Sequence, residues 1–278
     1  MADRADANME HIDFEVRDIP LETVTSADGT TIAYQKSGTG PPVVIVGGGL
    51  NEKAMHAELA EGLSANFTVY NYDRRGRGGS GDTVADRYSV DREVEDLAAV
   101  IAATGGPSHV FANCTGGMIA VPAAARGVPI AKLAMYEPPF GGPKVPEGYL
   151  EELTTLLAAD NRTEAVAMFL KWDALFTDDE VAFFQTHPIW PAFESMAPTM
   201  VYDSILSEDA DALPTEQLAA ITVPSLVLCG NDSIAWMIET CRALADAMPQ
   251  GQLVSMASTG HLMDDALGAE ILTSFFLE

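Results

Sequence analysis

One cysteine lies where a buried strand is predicted to run directly into a helix, in the segment HVFANCTGGM that spans residues 109–118. The residues two before and two after Cys114 are Ala112 and Gly116, which are both small. A sharp strand-to-helix turn brings the backbone at these two positions into close contact, where a larger side chain would clash. The turn also places the thiol at a helix N-terminus, whose partial positive charge favours the reactive thiolate. We therefore predict that Cys114 is a nucleophile.

Two further residues are candidates for a catalytic triad with Cys114. Asp232 follows a predicted strand that ends at Leu228, and His261 follows one that ends near Met256. Loops at the C-terminal ends of parallel strands lie along one edge of the sheet, so these side chains are expected to come together. His261 would take the thiol proton and later protonate the leaving group, while Asp232 would orient the imidazole.

Attack on a carbonyl group creates an oxyanion, which needs two preorganised hydrogen-bond donors. The backbone N–H of Thr115, directly after the nucleophile, is the first candidate. The second is the N–H of Gly49, or alternatively that of Leu50, in the turn after the predicted strand Val43–Val46. A glycine in this turn lets a substrate approach the backbone closely.

The elements that must position these groups follow an α/β pattern. Short β-rich runs alternate with amphipathic helical stretches, which predicts a mostly parallel eight-stranded sheet with helices on both faces. Leu21–Thr25 and Thr31–Gln35, joined by the turn ADGT, are predicted to form an antiparallel hairpin at a sheet edge. The other predicted strands are Val43–Val46, Thr68–Tyr72, His109–Asn113, Ala131–Tyr136, Ser225–Leu228 and Gln252–Met256.

No strand pattern occurs between Pro146 and about Pro214, where Tyr149–Ala159, Thr163–Leu175 and Asp178–Gln185 are predicted to be helices. We interpret residues 141–214 as a helical cap inserted between two parts of a core domain, 1–140 and 215–278. Its methionines and aromatic residues are expected to roof a cavity over Cys114 and to favour an apolar or aromatic acyl group. The predicted substrate contacts are Leu50, Tyr136, Met168, Trp172 and Trp190.

The charge balance excludes some functions. Lys and Arg total 15 against 41 Asp and Glu, a formal net charge of −26 that repels nucleic acids and anionic membranes. The first 18 residues lack the apolar stretch of a secretory signal, and no apolar run is long enough to cross a bilayer, which predicts a cytoplasmic protein. The three cysteines have neither zinc-site nor redox-pair spacing.

The arginine-rich loop of residues 74–79 fits neither of the common phosphate-binding glycine patterns. We interpret this loop as structural, with its arginines bound to nearby carboxylates or carbonyls. The sequence thus predicts a small-molecule substrate and neither a cofactor nor a metal. It gives no indication of the oligomeric state.

Taken together, these segments resemble the α/β-hydrolase superfamily, and in particular a broad group of actinobacterial α/β-fold hydrolases. The resemblance covers most of the chain and rests on VVIVGGGL, YDRRGRGGSGD, the elbow with its double glycine, YEPPF, IWPAFE and the closing strand, helix and strand with their histidine. It implies hydrolysis of an ester, thioester, lactone or related compound. Cys114 occupies the position at which most members carry serine. The chain also resembles dienelactone hydrolases, which use a Cys-His-Asp triad on this fold, so a cysteine at this position is compatible with catalysis.

The resemblance leaves the acid of the triad open. In the superfamily the acid often lies three residues after the glycine that ends the strand, whereas Asp232 lies two residues after Gly230. Some members carry the acid after the sixth strand, at the position of Glu137. We predict Asp232 as the acid and keep Glu137 as the alternative.

The predicted activity is therefore acyl transfer through an acyl-Cys114 intermediate that water hydrolyses. One alternative is an acyltransferase or cyclase of natural-product biosynthesis that passes the acyl group to an amine or alcohol, because a thioester reacts with amines more readily than an oxygen ester does. Another is a ligand-binding relative that has lost the chemistry. A serine replaced by cysteine through engineering would give the same pattern.

Overall fold

The computed structural model describes residues 19–83, 87–209, 212–257 and 261–278. The N-terminal segment of residues 1–18, on which the prediction of a missing secretory signal was based, lies outside the described residues. In the described ranges, no helix combines the length and the apolar character needed to cross a membrane. The cytoplasmic location stays a prediction.

The core of the fold is one eight-stranded sheet with the strand order β1-β2-β4-β3-β5-β6-β7-β8. The strands are β1 (Leu21–Thr25), β2 (Thr31–Ser37), β3 (Pro42–Val46), β4 (Thr68–Tyr72), β5 (Ser108–Asn113), β6 (Ile130–Tyr136), β7 (Ser225–Gly230) and β8 (Gly251–Met256). The hairpin β1–β2 is antiparallel and forms one edge, while β3 to β8 run parallel. The predicted α/β fold is confirmed.

Helices cover both faces of this sheet. They are α1 (Ala57–Ser64), α2 (Val90–Ala103), α3 (Gly117–Ala125), α4 (Tyr149–Ala158), α5 (Arg162–Trp172), α6 (Asp178–Thr186), α7 (Trp190–Met196), α8 (Met200–Asp209), α9 (Thr215–Ala220), α10 (Ala235–Ala247) and α11 (Asp265–Leu277). Side chains of α1 and α11 pack against one face, and those of α2, α3 and α10 pack against the other. Strand β3 reads PVVIV because its residues alternate between these two apolar layers.

Helices α4 to α8, which we call the helical segment, lie between β6 and β7 and form an apolar cluster of their own. The cluster includes Leu50, which comes from the loop after β3 and so connects the segment to the sheet. Helix α5 ends at Trp172, three residues earlier than the sequence predicts. The cause is a left-handed turn, because Leu175 has a φ of 60°, which a right-handed helix does not accommodate. The boundaries of a cap at residues 141 and 214 stay a prediction.

The turns after β3 and β5 are in close contact above the sheet. A β-carbon at Gly116 would lie 2.5 Å from the carbonyl oxygen of Val46, far inside normal contact distance. Strands β3 and β5 pair at Val46 and Ala112, and this pairing prevents the two turns from moving apart. The small residue that the sequence predicts at position 116 is therefore required by the backbone of the neighbouring strand.

We predict that Gly116→Ala destabilises the protein by roughly 1–3 kcal/mol, because the added methyl group overpacks the contact with Val46. Urea unfolding followed by circular dichroism measures the change. Gly106→Ala is the matched control, since a β-carbon at Gly106 meets no atom within 4 Å, and its effect should stay within about 0.5 kcal/mol. Equal stabilities of the two variants would contradict the packing argument.

Candidate active site

Cys114 occupies a strained turn between β5 and α3. Its φ of 49° lies in the left-handed region, which costs energy for a residue that has a β-carbon. The chain then forms a short 3₁₀ turn, Cys114–Gly116, and enters α3 at Gly117. The side chain of Cys114 is half-buried and borders a cavity at the carboxyl edge of the sheet. This geometry is that of a nucleophile elbow.

The structure brings the predicted pair Cys114 and His261 together. Both side chains border the same cavity, and the interaction with Cys114 raises the pKa of His261. The Nδ1 atom of His261 lies 2.6 Å from the Oε2 atom of Glu137, so Nε2 is the nitrogen that faces the sulfur. A thiol, an imidazole and a carboxylate thus lie next to one another at the edge of one cavity, with the imidazole hydrogen-bonded to the carboxylate.

The carboxylate that holds His261 is that of Glu137, which corrects the assignment of Asp232. Glu137 follows β6 directly, has a φ of 43° and is fully buried, whereas Asp232 lies farther out in the loop after β7 and is exposed. The backbone N–H of Gly230 donates to Oε1 of Glu137 over 2.8 Å, and the thiol of Cys229 donates to the same oxygen over 3.7 Å. These bonds from β7 fix the carboxylate and leave Oε2 for the imidazole.

The pKa of His261 is raised to about 10. Burial lowers the pKa, but the charge of the neighbouring Cys114, the hydrogen bond to Cys114 and the contact with Glu137 together outweigh it. At neutral pH the imidazole therefore carries a proton and faces the sulfur as a cation. Such a cation stabilises the thiolate, which is the reactive form of cysteine.

Both predicted oxyanion donors belong to residues that line the cavity, Gly49 and Thr115. Among the described residues, no backbone carbonyl accepts a hydrogen bond from the N–H of Gly49. The carbonyl of Gly49 accepts a bond of 2.8 Å from the Asn51 amide, which in turn accepts one of 3.3 Å from Asn113. The next residue, Leu50, has a φ of 48°, so this loop is strained like the elbow beside it.

The cavity has a volume of about 850 Å³ and is roofed by the helical segment. Of the predicted substrate contacts, Leu50 and Trp172 line it. Further apolar lining comes from Phe169, Phe176 and Phe193, which belong to the aromatic residues of the predicted cap, and from Met55, Phe184, Trp236 and Met237, which the sequence did not single out. This volume and these walls fit a small molecule with a bulky apolar part.

The other three predicted contacts, Tyr136, Met168 and Trp190, are not part of the cavity wall. Tyr136 is fully buried in the sheet, with its ring centroid 6.2 Å from that of His261. Met168 and Trp190 pack into the apolar cluster of the helical segment. The apolar character of a residue does not determine which face of its helix lines the cavity. Met168 and Trp190 lie on helix faces that pack against other helices.

Acidic side chains dominate the charged part of the wall. They are Glu147, Glu151, Asp173, Glu180, Asp203, Glu208 and Asp265, whereas Lys144 is the only lysine or arginine among the lining residues in the described ranges. Burial raises the pKa of Asp173 to about 6, although the hydroxyls of Tyr149 and Ser204 donate to its Oδ2 atom over 2.5 and 2.9 Å. Burial also raises the pKa of Asp265 to about 7.

A buried ionic network lies behind the oxyanion side of the cavity. Arg74 pairs with Glu93 over 2.6 Å and with Asp203 over 2.7 Å, and Arg77 pairs with the other oxygen of Asp203 over 2.5 Å. All four side chains are buried, and their formal charges cancel. The sequence interpretation of this loop as structural, with arginines on carboxylates and carbonyls, agrees with these contacts.

We predict that His261 keeps its proton until the pH approaches about 10, and that Cys114→Ala lowers the pKa of His261 more than Glu137→Gln does. The reason is that Cys114 contributes the largest of the effects that raise it. NMR of ¹⁵N-labelled histidine, with the resonance assigned from a His261→Gln variant, measures the titration. A midpoint near the ordinary 6.5 in the unmodified protein would contradict the ion pair.

Comparison with known proteins places this geometry in a family. A model of the Alpha/beta hydrolase family matches residues 43–269. An alpha/beta hydrolase from Sphaerobacter thermophilus is 44% identical, with 92% of this chain and all of that chain covered and a TM-score of 0.87.

Two other similarities are more distant. N-formylmaleamate deformylase of Pseudomonas putida is 33% identical over 121 residues, which span 42% of this chain and less than half, 45%, of that protein. The enol-lactonase of Burkholderia xenovorans shares the fold, with a TM-score of 0.70, 21% identity, and 93% of this chain and 100% of that chain covered. The resemblance to an actinobacterial group in particular stays a prediction. The family model, which matches most of the chain, shows that this protein belongs to the α/β hydrolase family.

Proposed function

We propose that the protein hydrolyses an ester, thioester or lactone of a small molecule through an acyl-cysteine intermediate on Cys114. The observation that carries the proposal is that Cys114 and His261 border one cavity while His261 is hydrogen-bonded to the buried Glu137. Family membership supports a hydrolase, and the names of the deformylase and the enol-lactonase are consistent with reaction at a carbonyl carbon.

Acylation begins with the thiolate of Cys114. The sulfur attacks the carbonyl carbon, an S–C bond forms, and the carbonyl electron pair moves to the oxygen. In the proposed step, the N–H groups of Gly49 and Thr115 donate to this oxyanion. When the intermediate collapses, the bond to the leaving group breaks and the imidazolium of His261 gives it a proton, while Glu137 keeps the ring oriented.

Deacylation reverses these roles. The neutral imidazole of His261 takes a proton from water as the oxygen attacks the thioester carbon, and a second oxyanion forms in the same place. Collapse breaks the S–C bond and releases the acid product. The sulfur leaves as thiolate and His261 remains protonated, which restores the starting ion pair.

We predict that Glu137→Gln lowers kcat for p-nitrophenyl phenylacetate by about 10²–10⁴-fold, because the imidazole loses the carboxylate that fixes its tautomer and stabilises its charge. Asp232→Asn is the matched control and should change kcat by less than about threefold, since Asp232 is an exposed residue of the loop after β7. A larger loss of kcat in Asp232→Asn than in Glu137→Gln would show that Asp232 is the acid of the triad.

We also predict that intact-mass analysis during turnover shows one phenylacetyl group on the unmodified protein and none on Cys114→Ala. The adduct requires a nucleophile, and Cys114 is the thiol that borders the cavity beside His261. Added butylamine separates hydrolysis from acyl transfer, because an acyltransferase would release the amide in preference to the acid. A protein that binds the ester but never carries an adduct would be a ligand-binding relative without this chemistry.

The acidic wall leads us to propose neutral or cationic substrates rather than carboxylate-bearing ones. Asp203 is compensated by Arg74 and Arg77, but the remaining acids outnumber the single lysine of the described wall. A ligand carboxylate would enter a cavity whose partly buried acids repel it, and in such a setting charges are screened less than at the surface.

We predict that the methyl p-nitrophenyl diester of adipic acid is hydrolysed with a kcat/KM about tenfold or more above that of the mono-p-nitrophenyl ester, whose free carboxylate the wall repels. The two compounds have nearly the same shape, so their ratio isolates charge. The ratio should fall when the ionic strength is raised from 10 mM to 0.5 M. A preference for the carboxylate would show that Lys144 or another cation dominates the cavity.

A further inference from the structure

The peptide unit between Gly48 and Gly49 is held from behind by two arginines. Nη1 of Arg77 donates to the carbonyl oxygen of Gly48 over 2.6 Å, and Nη1 of Arg74 donates to the same oxygen over 3.3 Å. In a trans peptide the C=O and N–H groups point in opposite directions. The two guanidinium groups therefore aim the N–H of Gly49 away from themselves.

On the other side of this peptide lie Cys114 and the cavity. A β-carbon at Gly48 would lie 2.9 Å from the Cβ of Cys114, and Gly49 lines the cavity wall. Arg77 also donates to the carbonyl of Asn51 over 3.2 Å, so it binds the loop at both ends of the strained residue Leu50. A strained loop keeps its conformation only where its surroundings fix it, and Arg77 supplies two of those bonds.

The same network reaches the second oxyanion residue through Asp203. Oδ1 of Asp203 accepts a bond of 2.7 Å from Arg74 and one of 3.2 Å from the hydroxyl of Thr115. Its Oδ2 accepts a bond of 2.5 Å from Arg77. One buried carboxylate of α8 thus holds both arginines and Thr115 in a single arrangement.

We propose that Arg74 and Arg77 are positioning residues of the oxyanion hole, which orient and polarise the Gly48–Gly49 peptide, and that Asp203 holds them and Thr115 in place. The inference rests on the proposed function, in which the N–H groups of Gly49 and Thr115 stabilise the oxyanion. A guanidinium bound to the carbonyl withdraws electron density from the peptide, so the N–H on the opposite side becomes a stronger donor. The arginines act through the peptide and do not touch the substrate.

Arg75 provides a matched control within the same loop. Its guanidinium is equally buried and pairs with Asp96 over 2.7 Å and with Asp28 over 3.0 Å. The oxygen atoms that it contacts belong to these carboxylates and to the carbonyl of Arg92, not to the loop after β3. Replacing Arg75 together with Asp96 therefore removes a buried ion pair without changing the support of Gly48.

The test compares two charge-balanced double variants, Arg77→Gln with Asp203→Asn and Arg75→Gln with Asp96→Asn. Each variant loses one arginine and one carboxylate, so its net charge is unchanged. Arg74 keeps its pair with Glu93 in the first variant, and Asp28 keeps the hydrogen bond from the N–H of Thr30 in the second. Both variants should lose comparable stability in urea unfolding. For p-nitrophenyl phenylacetate, the first variant should lose about 10²-fold in kcat, as expected when one oxyanion donor is misplaced, with KM changed by less than about threefold. The control should keep kcat within about threefold.

A binding measurement separates oxyanion support from general damage. The Cys114 thiol adds to 3-phenylpropanal, with an S–C bond formed and the carbonyl oxygen left as the hydroxyl or oxyanion of a hemithioacetal, whereas 3-phenylpropan-1-ol binds only through its apolar part. Titration calorimetry should show that the Arg77 and Asp203 variant weakens aldehyde binding by about tenfold or more and leaves alcohol binding unchanged. A merely structural role would weaken both ligands alike.

The outcomes distinguish this inference from the proposed function. Equal kcat and equal aldehyde affinity in the two double variants would overturn the role of the arginines while Cys114 chemistry stands. An unmodified protein that neither hydrolyses the ester nor binds the aldehyde would overturn both. If the first variant does not fold, Arg74→Gln with Glu93→Gln removes the other guanidinium and should lower kcat and aldehyde affinity severalfold; unchanged values would again overturn the inference.

Discussion

Strands β3 and β5 are hydrogen-bonded neighbours, and the turns that follow them occupy the same space above the sheet. A β-carbon at Gly48 would meet Cys114, and one at Gly116 would meet the carbonyl of Val46. Glycine at these positions lets the two turns pack closely, which places Cys114 against the backbone of Gly48. The site thus originates in the contact between two backbones, and the side chains around it serve to keep that contact in one conformation.

Three residues of the site, Leu50, Cys114 and Glu137, have strained left-handed backbone conformations. Each costs of the order of 1–3 kcal/mol and persists only where its neighbours over-determine it. For Leu50 the neighbour is Arg77, and for Glu137 it is the N–H of Gly230. Buried ion pairs gain little net stability because desolvation offsets their attraction, so the pairs around Asp203 are better understood as fixing geometry.

The periodicity of the chain predicted the sheet closely, since β1 and β4 have the predicted bounds and the elbow lies at Cys114. The choice between Asp232 and Glu137 could not be made in the same way, because both are carboxylates that follow neighbouring strands. What decides it is the left-handed backbone of Glu137, which turns its carboxylate toward the N–H of Gly230 and toward His261. The residue types around Glu137 do not predict that backbone conformation.

Contacts between residues that are far apart in the chain could not be predicted from the sequence either. Asp203 lies 126 residues from Arg77 in the chain, and no local pattern connects an acidic residue of α8 to an arginine of a glycine-rich loop. The cavity walls depend on tertiary packing in the same way, because Trp172 and Trp190 have the same side chain and only the packing of their helices places one in the wall and the other in the apolar cluster. Sequence patterns indicate which faces of the helices and strands are apolar, but the element against which each face packs depends on the tertiary structure.

The charge distribution links the catalytic pair to its surroundings. The raised pKa of His261 favours the protonated imidazole, which contributes positive charge to a wall that is otherwise acidic. The contacts of His261 with Cys114 and Glu137 favour that protonated form. In the proposed hydrolysis the substrate enters neutral and leaves as a carboxylate. The same wall that admits the ester therefore repels the acid, and release of the product is favoured by the charge that the reaction itself creates.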